Sequence, residues 1–233
     1  MSPKIAIIGF GAFGQLAARH LRKVAEVCIC DPSIRSNDLK QVDLPKAARC
    51  ATVILAVPLS RLEEVLHQIA PHLRPGALVI DTCSVKIRPA RLMLDILPAH
   101  VDLLATHPLF GPQSAADGVS GHRIVWCPLR GRGHLRAAVR ARRAGLRIIQ
   151  ATPEQHDRDM AVVQGLTHLI AQSLSRLGPM PERMATSSFG HLLRSVGMVH
   201  ADSPELLRTI LTENPFAADV RARFLQAASE IAA

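Results

Sequence analysis

Two hydrophobic periods alternate along the first two thirds of the chain. Residues 4–9 (KIAIIG) form a continuous apolar run behind one Lys, the pattern of a parallel strand covered on both faces. Residues 13–22 then place Leu16, Ala17 and Leu21 on one face of a helix. The exchange repeats. Strand-length apolar runs recur at 26–31 (EVCICD), 52–57 (TVILAV), 77–82 (ALVIDT), 102–107 (DLLATH), 123–127 (RIVWC) and 147–151 (RIIQA). Helical spacing recurs at 61–73, where Leu62, Val65, Leu66 and Ile69 share a face, and at 89–97, and an Arg-rich helix separates the last two strands. Strands alternating with helices predict a parallel, doubly wound α/β sheet. Beyond Pro153 the strand signal stops. Residues 154–177 read as one long helix, with Thr152 as N-cap and Gly178-Pro179 as its stop, and further helices follow at 181–198, 204–212 and 215–231. The expected organisation is a sheet domain over 1–152 and a smaller all-helical domain over 153–233.

Composition narrows the class. A chain of 233 residues, 48% hydrophobic, supports a core without disulfides or metals. No apolar run approaches the ~20 residues of a membrane span, and Met1-Ser2-Pro3-Lys4 leads into a strand without a leader pattern. The five cysteines form no CxxC pair, since Cys28 and Cys30 are two apart and Cys50, Cys83 and Cys127 are scattered. No disulfide scaffold or metal cluster is therefore expected, and a reducing cytoplasm is the expected setting. Lys and Arg outnumber Asp and Glu 28 to 19, a formal charge of +9, which suits either a polyanion partner or an enzyme with anionic ligands. Arg132, Arg136, Arg140 and Arg143 fall four, four and three apart and form a helix stripe. With six Phe, one Trp and no Tyr, the chain lacks an array of stacking aromatics, so the stripe reads as a solvated face and no nucleic-acid partner is expected.

The chemistry lies at the strand ends. Gly9-Phe10-Gly11-Ala12-Phe13-Gly14 follows the first strand and opens a helix. In that setting Gly9 allows the tight turn, Gly11 lets the backbone approach a pyrophosphate, and Gly14 lets helix and strand pack closely. The helix N-terminus offers N–H groups and partial positive charge to the phosphates, so the domain reads as Rossmann-type. Asp31 ends the second strand 17 residues after Gly14, near the ~20-residue spacing of an acid that binds ribose hydroxyls. It favours NAD over NADP, although Arg35, four residues on, allows NADP. Val57-Pro58 ends another strand and offers an apolar wall for the cofactor. Ser84 and His107 bring a hydroxyl and an imidazole to neighbouring loops of the same rim, where His107 can take a proton from an alcohol.

In order along the chain, IAIIGFGAFG at 5–14, VILAVPL at 53–59, DTCSVK at 81–86, THPLFGPQS at 106–114, RIVWC at 123–127 and EQHDRDMAVVQGLTHLIA at 154–171 resemble the prephenate/arogenate dehydrogenase family of tyrosine biosynthesis. The resemblance implies NAD(P)-dependent oxidative decarboxylation of a small dicarboxylate ring, with His107 as proton acceptor and Ser84 bonded to the reacting hydroxyl. It further implies that His168 and Gln113 face the substrate, that Arg194 grips a carboxylate, and that the helical domain forms a homodimer. Two positions depart from the family pattern: Gln113 stands where many members carry Glu or Asp, and Ala171 where many carry a second His. A neutral Gln113 gives an ammonium no counter-charge and leans towards prephenate, whereas HPLFGPQS also resembles the plant arogenate branch. Another Rossmann dehydrogenase of the β-hydroxyacid or imine-reductase type, and a non-enzymatic nucleotide- or nucleic-acid-binding protein, share the glycine loop without HPLFGP.

Overall fold

The computed structural model describes residues 4–181, 183–200 and 202–232. Residues 1–3, read above for a leader, and Glu182, inside the expected 181–198 helix, lie outside them. The chain folds as two compact units, one ending at Pro153 and the other running from Glu154.

The first unit contains β1 (Lys4–Ile8), α1 (Ala12–Leu21), β2 (Glu26–Cys30), β3 (Lys40–Gln41), α2 (Leu44–Ala48), β4 (Thr52–Leu55), α3 (Leu59–Ile69), β5 (Leu78–Asp81), α4 (Ile87–Ile96), β6 (Asp102–Pro108), β7 (Arg123–Arg130), α5 (Gly133–Arg143) and β8 (Arg147–Gln150). The strands form one sheet in the order β3-β2-β1-β4-β5-β6-β7-β8. Neighbours run parallel except β6 and β7, which are antiparallel. The connection at 109–122 carries no helix and returns the chain along β6 in the opposite direction. The strand order reverses between β1 and β4, which makes the carboxyl ends of these strands the place for a ligand.

Alternation explains why the strands read as unbroken apolar runs. In β1, Ala6 and Ile8 join the core under α3 and α4 with Leu62, Leu66, Ile69 and Met93. Ile5 and Ile7 join the opposite core with Phe10 and Ala18 of the α1 side. A third cluster packs α5 through Ala138 against Leu78, Leu104 and Trp126. Two elements escape the periodicity reading because they are too short to show a period. These are β3, and α2, which starts because the Asp43 carboxylate accepts the Lys46 N–H at 2.9 Å. The stripe residues Arg132, Arg136, Arg140 and Arg143 are exposed. Arg130 is instead structural: its guanidinium donates to the carbonyls of Val101, Leu97 and Pro98 just past the end of α4.

The thiols of Cys28 and Cys50 lie 3.7 Å apart, within hydrogen-bonding reach and without a disulfide. The Cys28 hydrogen bond, opposed by burial and helped by Arg74 and Lys4, draws Cys50 down to about 7. Cys28 is pushed up by the same bond, and burial raises Cys30 and Cys83. Near neutral pH, iodoacetamide is therefore expected to label Cys50 before these three, because the thiolate is the nucleophile. Peptide mass mapping of a time course checks this, and earlier labelling of Cys28 or Cys30 contradicts it.

The second unit is helical: α6 (Pro153–Arg176), α7 (Ser187–His200), α8 (Pro204–Arg208), a π-helical turn at Thr209–Glu213, and α9 (Ala217–Ala232). The helix expected from residue 181 starts at Ser187 because Thr186 sets the N-terminus, its hydroxyl accepting the Phe189 N–H at 3.3 Å. The helices expected at 204–212 and 215–231 are separated by buried Asn214. Its amide donates to the Asp157 carbonyl at 2.7 Å, and its oxygen accepts the Phe216 N–H at 3.0 Å. Among the described residues, no helix is long and apolar enough to cross a membrane.

Candidate active site

The glycine loop divides its labour between packing and ligand. Gly9 has φ +95°, and a Cβ there would stand 2.4 Å from the Ala56 carbonyl oxygen. A Cβ on Gly14 would stand 2.2 Å from the Gly9 carbonyl oxygen. These two glycines let α1 close against β1 and β4. Gly11 differs, since a Cβ there meets nothing within 4 Å. Gly11 is also the N-cap of α1 and brings no side chain to the first-turn N–H groups. The result is an open cradle of backbone donors at the positive end of a helix, which fits a pyrophosphate.

Phe10 belongs to this loop through its backbone. Its ring is buried in the core, while its N–H donates to Asp31 Oδ2 at 2.7 Å. Asp31 Oδ1 accepts the N–H groups of Ser33 at 2.9 Å and Ile34 at 2.8 Å. Burial works to raise the Asp31 carboxyl, but the N–H groups of Ile34, Phe10 and Ser33, with Arg35, outweigh it and hold the group below its ordinary value. The stability Asp31 contributes is thus present above the ordinary value of 3.8 and is lost as pH falls through the lower folded value. A carboxylate offers about four acceptor positions. Three are used by the backbone, and the charge remains at the end of β2, where a ribose would be met. These residues fit NAD.

Val57 is half-buried and Pro58 exposed, directly after β4. Ala12 is exposed in the first turn of α1, and Phe13 is half-buried. Phe13 lies 6.4 Å, ring to ring, from Phe110, which lies 5.1 Å from His122. The 109–122 segment therefore folds back from the end of β6 to the glycine loop, and this brings together two motifs that are 97 residues apart. Gln113 is exposed on that segment.

Ser84 and His107 follow or end adjacent strands, β5 and β6. Ser84 is half-buried and His107 is 6% exposed. Neighbouring Cys83 is buried, which pushes its thiol well up, as does the Asp81 carboxylate, so it is a packing group rather than a nucleophile. Lys86 closes the DTCSVK motif and does not reach solvent. It is fully buried, paired with Asp81 and bonded to the Thr106 carbonyl at 2.7 Å. Sequence reasoning missed Asp81 and Lys86 as partners because no helical or strand period joins positions five apart across a strand end. The only available signal was a charged residue at each end of the DTCSVK motif.

In the second unit, His168 is 4% exposed on α6. Its Nδ1 donates to the Gln164 carbonyl at 2.9 Å, and its Nε2 faces Asp202 Oδ2 at 2.9 Å. Asp202 went unremarked in the sequence because it lies 34 residues away in a connection. Arg194 is exposed on α7. His156 and Asp157 are buried and paired, Nδ1 to Oδ1, at 2.7 Å. Among the described residues, no three or more His, Cys, Asp and Glu gather as a metal site.

A sheet that reverses order at β1 and β4, a glycine cradle at the end of β1 and an acid at the end of β2 define a dinucleotide-binding unit. In this chain that unit precedes an all-helical one. The description of the prephenate dehydrogenase nucleotide-binding domain matches residues 27–143, and that of the prephenate dehydrogenase dimerization domain matches residues 152–233. The chain belongs to the prephenate dehydrogenase family. It is 30% identical to arogenate dehydrogenase 2 of Arabidopsis thaliana, over 91% of this chain and 64% of that one. It is 27% identical to a probable arogenate/prephenate dehydrogenase of Methanocaldococcus jannaschii, over 77% of this chain and 42% of that one. The chain thus spans less than two thirds of either relative. Its fold is that of A. aeolicus prephenate dehydrogenase, solved with hydroxyphenyl propionate and NAD+, at a TM-score of 0.78 and 20% identity, over 99% of this chain and 89% of that one.

Proposed function

We propose that the chain catalyses NAD-dependent oxidative decarboxylation of prephenate to 4-hydroxyphenylpyruvate, or of arogenate to tyrosine. The observation that carries this reading is the placement of His107 and Ser84 on adjacent strand ends, in the same sheet as the Gly11 cradle and Asp31. When bound, the nicotinamide is the hydride acceptor. His107 takes the proton of the ring hydroxyl as the hydride leaves the same carbon, and CO₂ departs as the ring aromatises. Ser84 bonds to the hydroxyl and orients it. Since aromatisation drives the chemistry, the protein's task is to position the ring and move one proton. On the helical unit, Arg194 offers a planar fork to a substrate carboxylate. His168 serves the substrate as one member of a pair with Asp202. Gln113 places no negative charge near the substrate side chain, which favours the keto acid prephenate over the amino acid arogenate. The dimerization domain and its exposed Leu177, Met184 and Met198 support a homodimer.

The test is initial-rate kinetics, followed by NADH or NADPH absorbance, with purified prephenate and arogenate, each with NAD and NADP. At least one substrate is expected to turn over, with kcat/KM for NAD above that for NADP by about tenfold or more, since Asp31 repels a 2′-phosphate. No nucleotide reduction in any of the four combinations overturns the reading.

A further inference from the structure

We propose that Lys86 is a positioning residue for His107: its buried ammonium, held by Asp81, fixes the Thr106 carbonyl and thereby the backbone that carries the His107 ring. The proposal rests on the reading of His107 as proton acceptor.

The register shows what the lysine replaces. The β5–β6 register ends at Asp81 opposite Ala105, so β5 has no residue paired with Thr106 or His107. On the β7 side they stay paired, Thr106 with Trp126 and His107 with Val125. On the β5 side, side chains take over. The Lys86 ammonium donates to the Thr106 carbonyl at 2.7 Å, and the Thr106 hydroxyl donates to the Asp81 carbonyl at 2.7 Å. The Asp81 carboxylate divides its two oxygens. Oδ2 meets the Lys86 ammonium, and Oδ1 accepts the N–H of Cys83 at 2.8 Å, one residue before Ser84. One ion pair therefore holds the backbone beneath both proposed reactive side chains.

Stability alone is a weak account of this pair. Both partners are 0% exposed, and burying two charges carries a desolvation cost that apolar residues of similar size would not incur. What an apolar pair cannot supply is a donor aimed at the Thr106 carbonyl and an acceptor for the Cys83 N–H.

The experiment compares two neutral pairs with the wild type. Lys86→Met alone strands a buried carboxylate, so each change is made with Asp81→Asn, whose oxygen still accepts the Cys83 N–H. The Lys86→Met, Asp81→Asn variant has no donor for Thr106. The Lys86→Gln, Asp81→Asn variant restores one. The Met pair is expected to lose about 30-fold in kcat, with NAD affinity within about twofold of wild type, and the Gln pair to recover most of the loss. In a His107→Asn background the Met pair is expected to cost less than about threefold, because the group it positions is gone. Wild-type kcat in the folded Met pair, or the full loss repeated in the His107→Asn background, overturns the proposal. If the Met pair does not fold, Asp81→Asn alone enters the same cycle, with non-additivity expected and additivity overturning. A His107→Asn variant at wild-type rate overturns the reading of His107 itself, whereas an inactive His107→Asn beside a fully active Met pair overturns only the positioning role.

Discussion

Replacing His107 with Asn is expected to lower kcat about a thousandfold, within the range for loss of a general base, and to leave NAD affinity within about twofold. Asn keeps much of the shape and a hydrogen-bonding end but accepts no proton at neutral pH. A thousandfold loss corresponds to about 4 kcal/mol of barrier. The change is local, because β6 is held on one side by β5 and on the other by β7, where His107 stands opposite Val125. The proposed nucleotide-binding groups lie at the ends of β1 and β2, so nucleotide affinity supplies the control. Trp126 is the sole tryptophan, sits in β7 opposite Thr106, and gives a fluorescence signal for an NAD titration. Steady-state rates and that titration on one preparation decide the matter. A variant that keeps more than about a tenth of wild-type kcat removes His107 as the base.

The first unit was legible because its physics is local. A strand buried on both faces must be apolar throughout, as 4–9, 52–57 and 77–82 are, and the glycine loop must follow such a strand to be useful. Asp31 was legible because its position depends only on the length of α1 and β2. What sequence concealed is of two kinds. Short elements such as β3 and α2 carry no period, and the antiparallel return of β7 shows only as a missing helix between 109 and 122. The second kind is side-chain partnership across sequence distance. The pairing of Asp81 with Lys86 under Thr106, the contact of Phe13 with Phe110, and the meeting of His168 with Asp202 each depend on where the backbone has already gone. His168 could be singled out within its motif, but not that both of its ring nitrogens find partners inside its own unit.

The excess of Lys and Arg also resolves by position. Arg130 supports the C-terminal end of α4, the 132–143 stripe faces solvent, and Lys86 is neutralised within the fold. At the end of β1 the first-turn N–H groups of α1 add positive potential that a count of Lys and Arg does not register.

That distinction makes the three loop glycines separable. Gly11→Ala is expected to weaken NAD binding about a hundredfold while leaving the thermal midpoint nearly unchanged. Its methyl enters open space in the free protein and collides only with a phosphate brought against the backbone. Gly14→Ala is expected to act in the reverse order. Its methyl would stand 2.2 Å from the Gly9 carbonyl oxygen, so α1 must move off β1, at about 3 kcal/mol or more. Gly9→Ala adds backbone strain at φ +95° to a clash with the Ala56 carbonyl, and is expected to be at least as destabilising. Thermal melts with and without NAD distinguish the cases. Gly11→Ala should melt like wild type without nucleotide and lose the upward shift that NAD gives wild type. Gly14→Ala should already melt low without it. If Gly11→Ala binds NAD as wild type does, the pyrophosphate does not approach the chain at the N-terminus of α1. Since Gly11 is the position where added bulk meets no protein atom, that result would move the cofactor's phosphates away from this loop altogether.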